Sequence, residues 1–174
     1  MRKILLIIAM IGTLVSCTEK KEASKPQNDI WFFHIGENRK YVEKTLKENH
    51  YKFKNFEEGT ITDNPTINYL NIDWDKCSFF YDNDTIKAIL FTRFSPALNM
   101  AKPLTQEQIK ALQGILTYSY GEMRENRRPS EFDLESYNYV WYGDDFHVEL
   151  FTLADGYGTF LGFFSEGNNP IDDM

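Results

Sequence analysis

The sequence predicts an α+β domain in which two similar helix-plus-three-strand units form one antiparallel sheet with both helices on one face. Three observations lead there. An apolar stripe at helical spacing occurs twice, and each is followed by three strand-like runs separated by turn residues. Landmarks recur at near-constant separation: Leu46 and Leu116 are 70 residues apart, Trp74 and Trp141 67, and Phe94-Ser95 and Phe164-Ser165 70, the signature of a duplicated unit. A unit of one helix and a small sheet also leaves an apolar face and two edges unmatched, so two such units join into one curved sheet.

The first helix is expected over Glu37 to Asn49, with Tyr41, Val42 and Leu46 on one side. Three strands are expected next, over Thr66 to Trp74, Lys76 to Tyr81 and Thr85 to Phe94, the last two joined by a tight turn at Asp82-Asn83-Asp84. The second helix has the stronger signals. Thr105 to Gln108 fits a capping box, Leu104 and Ile109 sit where a hydrophobic staple places them, and Ile109, Leu112, Ile115 and Leu116 form its stripe before Gly121 ends it. The stretch from Arg124 to Ser136 reads as a long loop. Strands are then expected over Tyr137 to Tyr142, Phe146 to Leu153 and Gly158 to Ser165, with turns at Gly143-Asp144-Asp145 and Asp155-Gly156. The domain spans 30–166, and residues 167–174 read as a frayed tail. Over roughly residues 30 to 165 this element order resembles the β-lactamase-inhibitor-protein type of fold and, more loosely, the small lipoprotein of the outer-membrane β-barrel assembly machinery. No binding motif carries across, so the resemblance implies no partner.

Ahead of the domain, Arg2 and Lys3 precede the apolar run Ile4 to Ile11, which is too short to span a bilayer and is broken by Gly12, Thr13 and Ser16. That is the layout of an export signal. Leu14-Val15-Ser16-Cys17 resembles the lipobox of bacterial lipoproteins. The resemblance implies a signal peptide over residues 1–16, cleavage after Ser16, a diacylglyceryl group on the Cys17 sulfur and an acylated new amino terminus. The expected partner is thus the lipid bilayer, reached through acylated Cys17. Several acyl chains anchor stably where one binds reversibly, since each buried methylene contributes about 0.8 kcal/mol. Thr18, where an Asp would resemble the inner-membrane retention signal, favours the outer membrane. Residues 18–29 are polar and charged with almost no apolar side chain, the composition of a flexible tether.

Removing 16 of the 174 residues leaves 158, suited to one domain, and takes Arg2 and Lys3 from the 19 basic residues, leaving 17 against 26 acidic ones and a net charge of −9. Such a surface repels phosphate backbones, so nucleic acid is not an expected partner. Once Cys17 carries lipid only Cys77 remains, within the strand-like Lys76 to Phe80. It reads as a small buried hydrophobe rather than a catalytic thiol, which needs a base and an electropositive setting.

The sequence offers no nucleophile elbow, Ser-x-x-Lys pair or phosphate loop. The Asp-rich turns lack the Gly and bidentate Glu of an EF-hand loop, so no metal and no cofactor is predicted. In a strand, Phe146, Val148 and Leu150 face the core, which leaves His147 and Glu149 side by side on the opposite face. That pair is the one candidate ligand, metal-dependent or acid–base centre. If Ile86, Ala88 and Leu90 face the helices, then Ile89 and Phe91 point away from them, and Phe151 does so beside His147 and Glu149. These three are the candidate partner-binding residues. The expected function is that of a non-enzymatic, protein-binding envelope lipoprotein, with a ligand-binding protein or enzyme centred on His147 and Glu149 as the alternative.

Overall fold

The structure, a computed structural model, describes residues 30–94, 104–128, 136–143, 145–152 and 158–165. Cys17 and the rest of the lipobox, the tether 18–29, the tail 167–174 and the expected Asp155-Gly156 turn lie outside the described residues. Helix α1 (Arg39–Glu48) is followed by β1 (Phe53–Phe56), β2 (Gly59–Thr62), β3 (Ile67–Tyr69), β4 (Ile72–Trp74), β5 (Lys76–Asp82) and β6 (Thr85–Phe94). Helix α2 (Gln106–Tyr120) is followed by β7 (Arg124–Arg128), β8 (Ser136–Tyr142), β9 (Phe146–Thr152) and β10 (Gly158–Ser165).

Eight strands make one sheet in the order β1-β2-β5-β6-β10-β9-β8-β7, and β3 pairs with β4 in a separate two-stranded hairpin. Every pairing is antiparallel. The expectation of two helix-plus-three-strand units is therefore wrong. Each half supplies four strands to the main sheet, the first half adds the β3–β4 hairpin, and the two halves meet where β6 pairs with β10. Trp74 lies in the small hairpin and Trp141 in the main sheet, so these two landmarks are not structural equivalents.

Strands β1, β2 and β7 were not anticipated, and the two at the sheet edges share a cause. Strand β1 is exposed along most of its length, and β7 has the sequence Arg-Glu-Asn-Arg-Arg at the sheet edge. Neither shows apolar alternation, because an edge strand is held by one ladder of backbone hydrogen bonds and is kept charged on purpose. The expected strand Thr66 to Trp74 is cut in two by Leu70 and Asn71, both at positive φ (54° and 59°), the geometry of a two-residue hairpin turn. Asn83 and Asp84, at 49° and 61°, make the same kind of turn between β5 and β6.

Both helices pack on one face of the sheet. Val42 and Leu46 of α1 and Ile109, Leu112 and Leu116 of α2 share a buried cluster with Phe79, Phe91, Val148, Leu150, Leu161 and Phe163. Asn38 caps α1 by accepting from the Lys40 amide at 2.9 Å, and the capping box of α2 is complete, Thr105 and Gln108 each bonding the other's backbone. Trp141 donates its indole N–H to Thr117 Oγ1 at 3.1 Å, which ties α2 to β8. Two stripe residues are not in the core: Tyr41 on α1 and Ile115 on α2 are exposed.

Candidate functional site: the helix-free face of the sheet

One extra residue decides which side chains reach the second face. On β6, Ile86 pairs with Tyr81 and Ala88 with Phe80, so Lys87 has no partner and forms a β-bulge. A bulge breaks the two-residue alternation. Ile86 faces the helices, but so do Ile89 and Phe91, while Ala88 and Leu90 join a separate cluster on the other face with Phe164. The expectation that Ile89 and Phe91 are exposed for a partner is thus overturned: both are fully buried under the helices and hairpin. Phe91 stacks on Tyr69 at 4.5 Å and touches Trp31, Trp74 and Phe163 at 6.0, 5.9 and 6.4 Å between ring centres.

Strand β9 has no such irregularity, and its alternation carries through. Phe146, Val148 and Leu150 lie in the helix-side core. His147, Glu149 and Phe151 lie opposite, with Phe151 half-buried against Phe160 at 5.9 Å. Direct pairing then orders the helix-free face into rows. One runs Phe56, Gly59, Phe80, Ala88, Phe164, His147, Tyr142 from β1 to β8. Phe56 lies against Phe80 at 6.1 Å, His147 stacks on Phe164 at 5.1 Å and 26°, and Tyr142 follows at 6.1 Å from His147. Phe56 and Tyr142, at the two flanks, are 42% and 56% exposed.

Two glycines let the rings lie flat. A Cβ at Gly162 would overlap the Phe164 ring, and one at Gly59 would overlap the Phe56 ring and come within 2.6 Å of the Phe79 carbonyl oxygen. Flat aromatic side chains over strand glycines cover backbone that a glycine leaves bare. Arg39 fixes the Phe56 end: its guanidinium donates to the carbonyl oxygens of Phe56, Glu57 and Gly59 at 3.0, 3.3 and 3.1 Å and lies 5.1 Å from the centre of the Tyr81 ring. The sequence reading missed Arg39. Its signal, a lone Arg in the first turn of a helix, looks like any solvated cation.

His147 Nε2 and Glu149 Oε1 are 3.3 Å apart, with side-chain exposures of 16% and 6%. The sequence reading anticipated their shared face, and the structure brings them into contact. Among the described residues no group of three or more His, Cys, Asp or Glu side chains is placed to hold a metal ion. Cys77 is buried, and burial pushes its thiol well above its ordinary value. No helix among the described residues is long and apolar enough to cross a membrane. Comparison of the chain with protein families, curated proteins and solved structures returns no match in any of the three.

Proposed function

We propose that this chain is a lipid-anchored, non-enzymatic protein of the bacterial cell envelope that binds another protein through the helix-free face of its sheet, around Phe80, Phe151 and Phe160. The observation that carries the reading is that this face presents a run of half-buried and exposed aromatic side chains over which neither helix packs. Aromatic side chains left partly exposed in one cluster mark interaction sites, in which aromatic residues are enriched. With a mature net charge of −9 deduced from the sequence, the complementary partner surface is neutral or basic.

The anchor is the acylated Cys17, in the outer membrane by preference, with residues 18–29 as tether. The test has two parts. Cys17→Ala should release the protein from washed membranes, and persistence there refutes the anchor. A photocrosslinking residue at position 160 should give one discrete protein adduct in cells, lost when Phe80 and Phe151 are changed together to Ser. An adduct that survives those changes refutes the binding face.

The second reading is a ligand or metal site at His147 and Glu149, favoured by their 3.3 Å contact. Titrating divalent metals while following Tm separates the two: a rise in Tm that Glu149→Gln abolishes supports the site, since a ligand that binds only the folded state raises its stability.

A further inference from the structure

An aromatic turn stands where the expected tether meets the domain. Ile30 and Phe33 exchange both backbone hydrogen bonds, at 2.7 and 3.0 Å, so Trp31 and Phe32 form the tip of a two-residue turn. Trp31 has φ 63°, a conformation that such turns ordinarily give to glycine. A bulky residue kept there is held by its surroundings against local strain. The Trp31 ring lies 4.8 Å from Tyr51 and 6.0 Å from Phe91, and Phe32 lies 4.8 Å from Trp31 and 6.3 Å from Tyr51. Phe91 roots the cluster in the core, whereas Phe32 is 40% exposed.

The charge beside this turn is opposite to that of the whole chain. From Arg39 to Lys54 there are six basic residues against two acidic ones, Glu43 and Glu48, a net of +4 in a chain whose formal charge is −7. Both acids are already engaged, Glu43 by Arg39 at 3.5 Å and Glu48 by Lys44 at 3.7 Å, while Lys54 pairs with Asp63 at 3.0 Å. Lys47 and Lys52, both exposed, have no acidic partner among the described residues. The end of α1 brings them to the cluster: the amides of His50 and Tyr51 donate to the carbonyls of Lys47 and Leu46 at 3.0 and 2.8 Å, with His50 at φ 61°.

We propose that this end of the domain docks on the bilayer that holds the anchor, with Trp31 and Phe32 in the headgroup region and Lys47 and Lys52 against the phosphates of anionic lipids. The inference rests on the proposed lipid at Cys17. The occupant follows from where the tether stops: residues 18–29 end immediately before Ile30, and a flexible chain of that length spans about 20 Å, so the turn is the part of the domain that the anchor keeps nearest the membrane. Tryptophan and tyrosine collect at membrane interfaces because each has an apolar body and a polar tip. A lysine near an anionic surface strengthens attachment about fivefold. Through Phe91 the cluster belongs to the helix side of the sheet, so docking leaves the helix-free face open to a protein partner.

Tryptophan quenching tests it, in the full, lipidated chain reconstituted into vesicles of phosphatidylcholine and phosphatidylglycerol in equal parts, with and without bromine on the acyl chains. Bromine quenches only an indole that reaches the membrane, and Trp74 and Trp141 are fully buried, so the loss of emission should disappear in Trp31→Phe. Changing Lys47 and Lys52 together to Gln should weaken docking about 25-fold, read as a return of emission while the chain stays on the vesicles, and vesicles of phosphatidylcholine alone should have the same effect. Equal emission with and without bromine in the vesicle-bound chain, whether the turn faces water or a second copy covers it, overturns the proposal. Quenching indifferent to both the lysines and phosphatidylglycerol overturns it too. Failure of the anchor is read separately, as an unmodified mass at residue 17 and a chain that does not float with the vesicles. In that event the chain is offered the same vesicles at about 1 mM lipid, the weak end of measurable association, where the surface must bind unaided: quenching that Trp31→Phe removes supports the docking surface, and no quenching overturns it.

Discussion

Phe91→Ala tests the reasoning that sorts the two faces of the sheet. Its ring is fully buried, stacks on Tyr69 at an interplanar angle of 15°, and has Trp31, Trp74 and Phe163 around it. Truncation removes the transfer energy of the ring and leaves a cavity walled by three other elements that cannot all collapse into it, so the loss should fall at about 3–5 kcal/mol. Against a total stability of about 5–15 kcal/mol this is a large fraction. With a urea dependence near 2 kcal/mol per molar, the midpoint should fall by about 1.5–2.5 M. Phe151→Ala, on the half-exposed face, should lose about 1 kcal/mol or less, through its contact with Phe160. Chemical unfolding followed by tryptophan fluorescence measures both. Equal losses at the two positions, or a larger one at Phe151, would refute the bulge at Lys87 as the device that turns Phe91 inward.

Arg39→Ala removes three hydrogen bonds to backbone carbonyls and should cost about 1–2 kcal/mol, with amide exchange rising first in the β1–β2 turn; a rise confined to α1 would contradict the clamp. Gly162→Ala forces the Phe164 ring off the sheet and should cost about 1–3 kcal/mol, partly restored by Phe164→Leu in the same chain; no restoration in the double variant would show the ring is not the obstacle. Burial pushes the Tyr81 and Tyr120 hydroxyls up to about 12 from an ordinary 10.0. Above pH 10 the unfolded chain therefore sheds protons that the folded one retains, so stability present below pH 10 is lost as pH rises toward 12. Tyr120→Phe should flatten that loss between pH 10 and 12 in urea titrations, and an unchanged slope would refute it. Asp63 behaves in the opposite sense. Lys54, through a hydrogen bond and its charge, and then Lys76 hold its carboxyl below the usual range, so its contribution is present at neutral pH and lost as pH falls below about 4. Asp63→Asn should reduce the acid dependence of Tm there, and an identical acid limb would refute the pairing.

What the sequence made legible were elements whose local rules agree with their burial. The α2 capping box, the Asn83-Asp84 turn and the alternation of β9 could be read because each depends on neighbours in the chain. That alternation also set His147 beside Glu149, the part of the candidate site that was readable. The rest depended on contacts distant in sequence. Strands β1 and β7 are strands only because β2 and β8 offer them a ladder. Lys87 bulges because Phe80 and Tyr81 pair past it, and no residue near Lys87 announces that. The error propagated: one skipped pairing exchanged the faces of Ile89 and Phe91 with those of Ala88 and Leu90. Ile115 was misread for a related reason, since a helix with apolar residues on more than one side does not say which side meets the core.

The junction between β6 and β10 has a consequence for how the chain is made. It joins Phe94 to Gly158 and Ala88 to Phe164, partners 64 and 76 residues apart, whereas the other pairings of the sheet close over 21 residues or fewer. A ribosome working from the amino terminus thus completes the ten-residue β6 long before its neighbour exists. Until the last strand is added, the facing edges of β6 and β9 both stand open to any passing polypeptide. Chains that terminate early, before Gly158, should for that reason be the ones that clump or are cleared by proteases, and whatever escorts the unfinished protein must shield both edges.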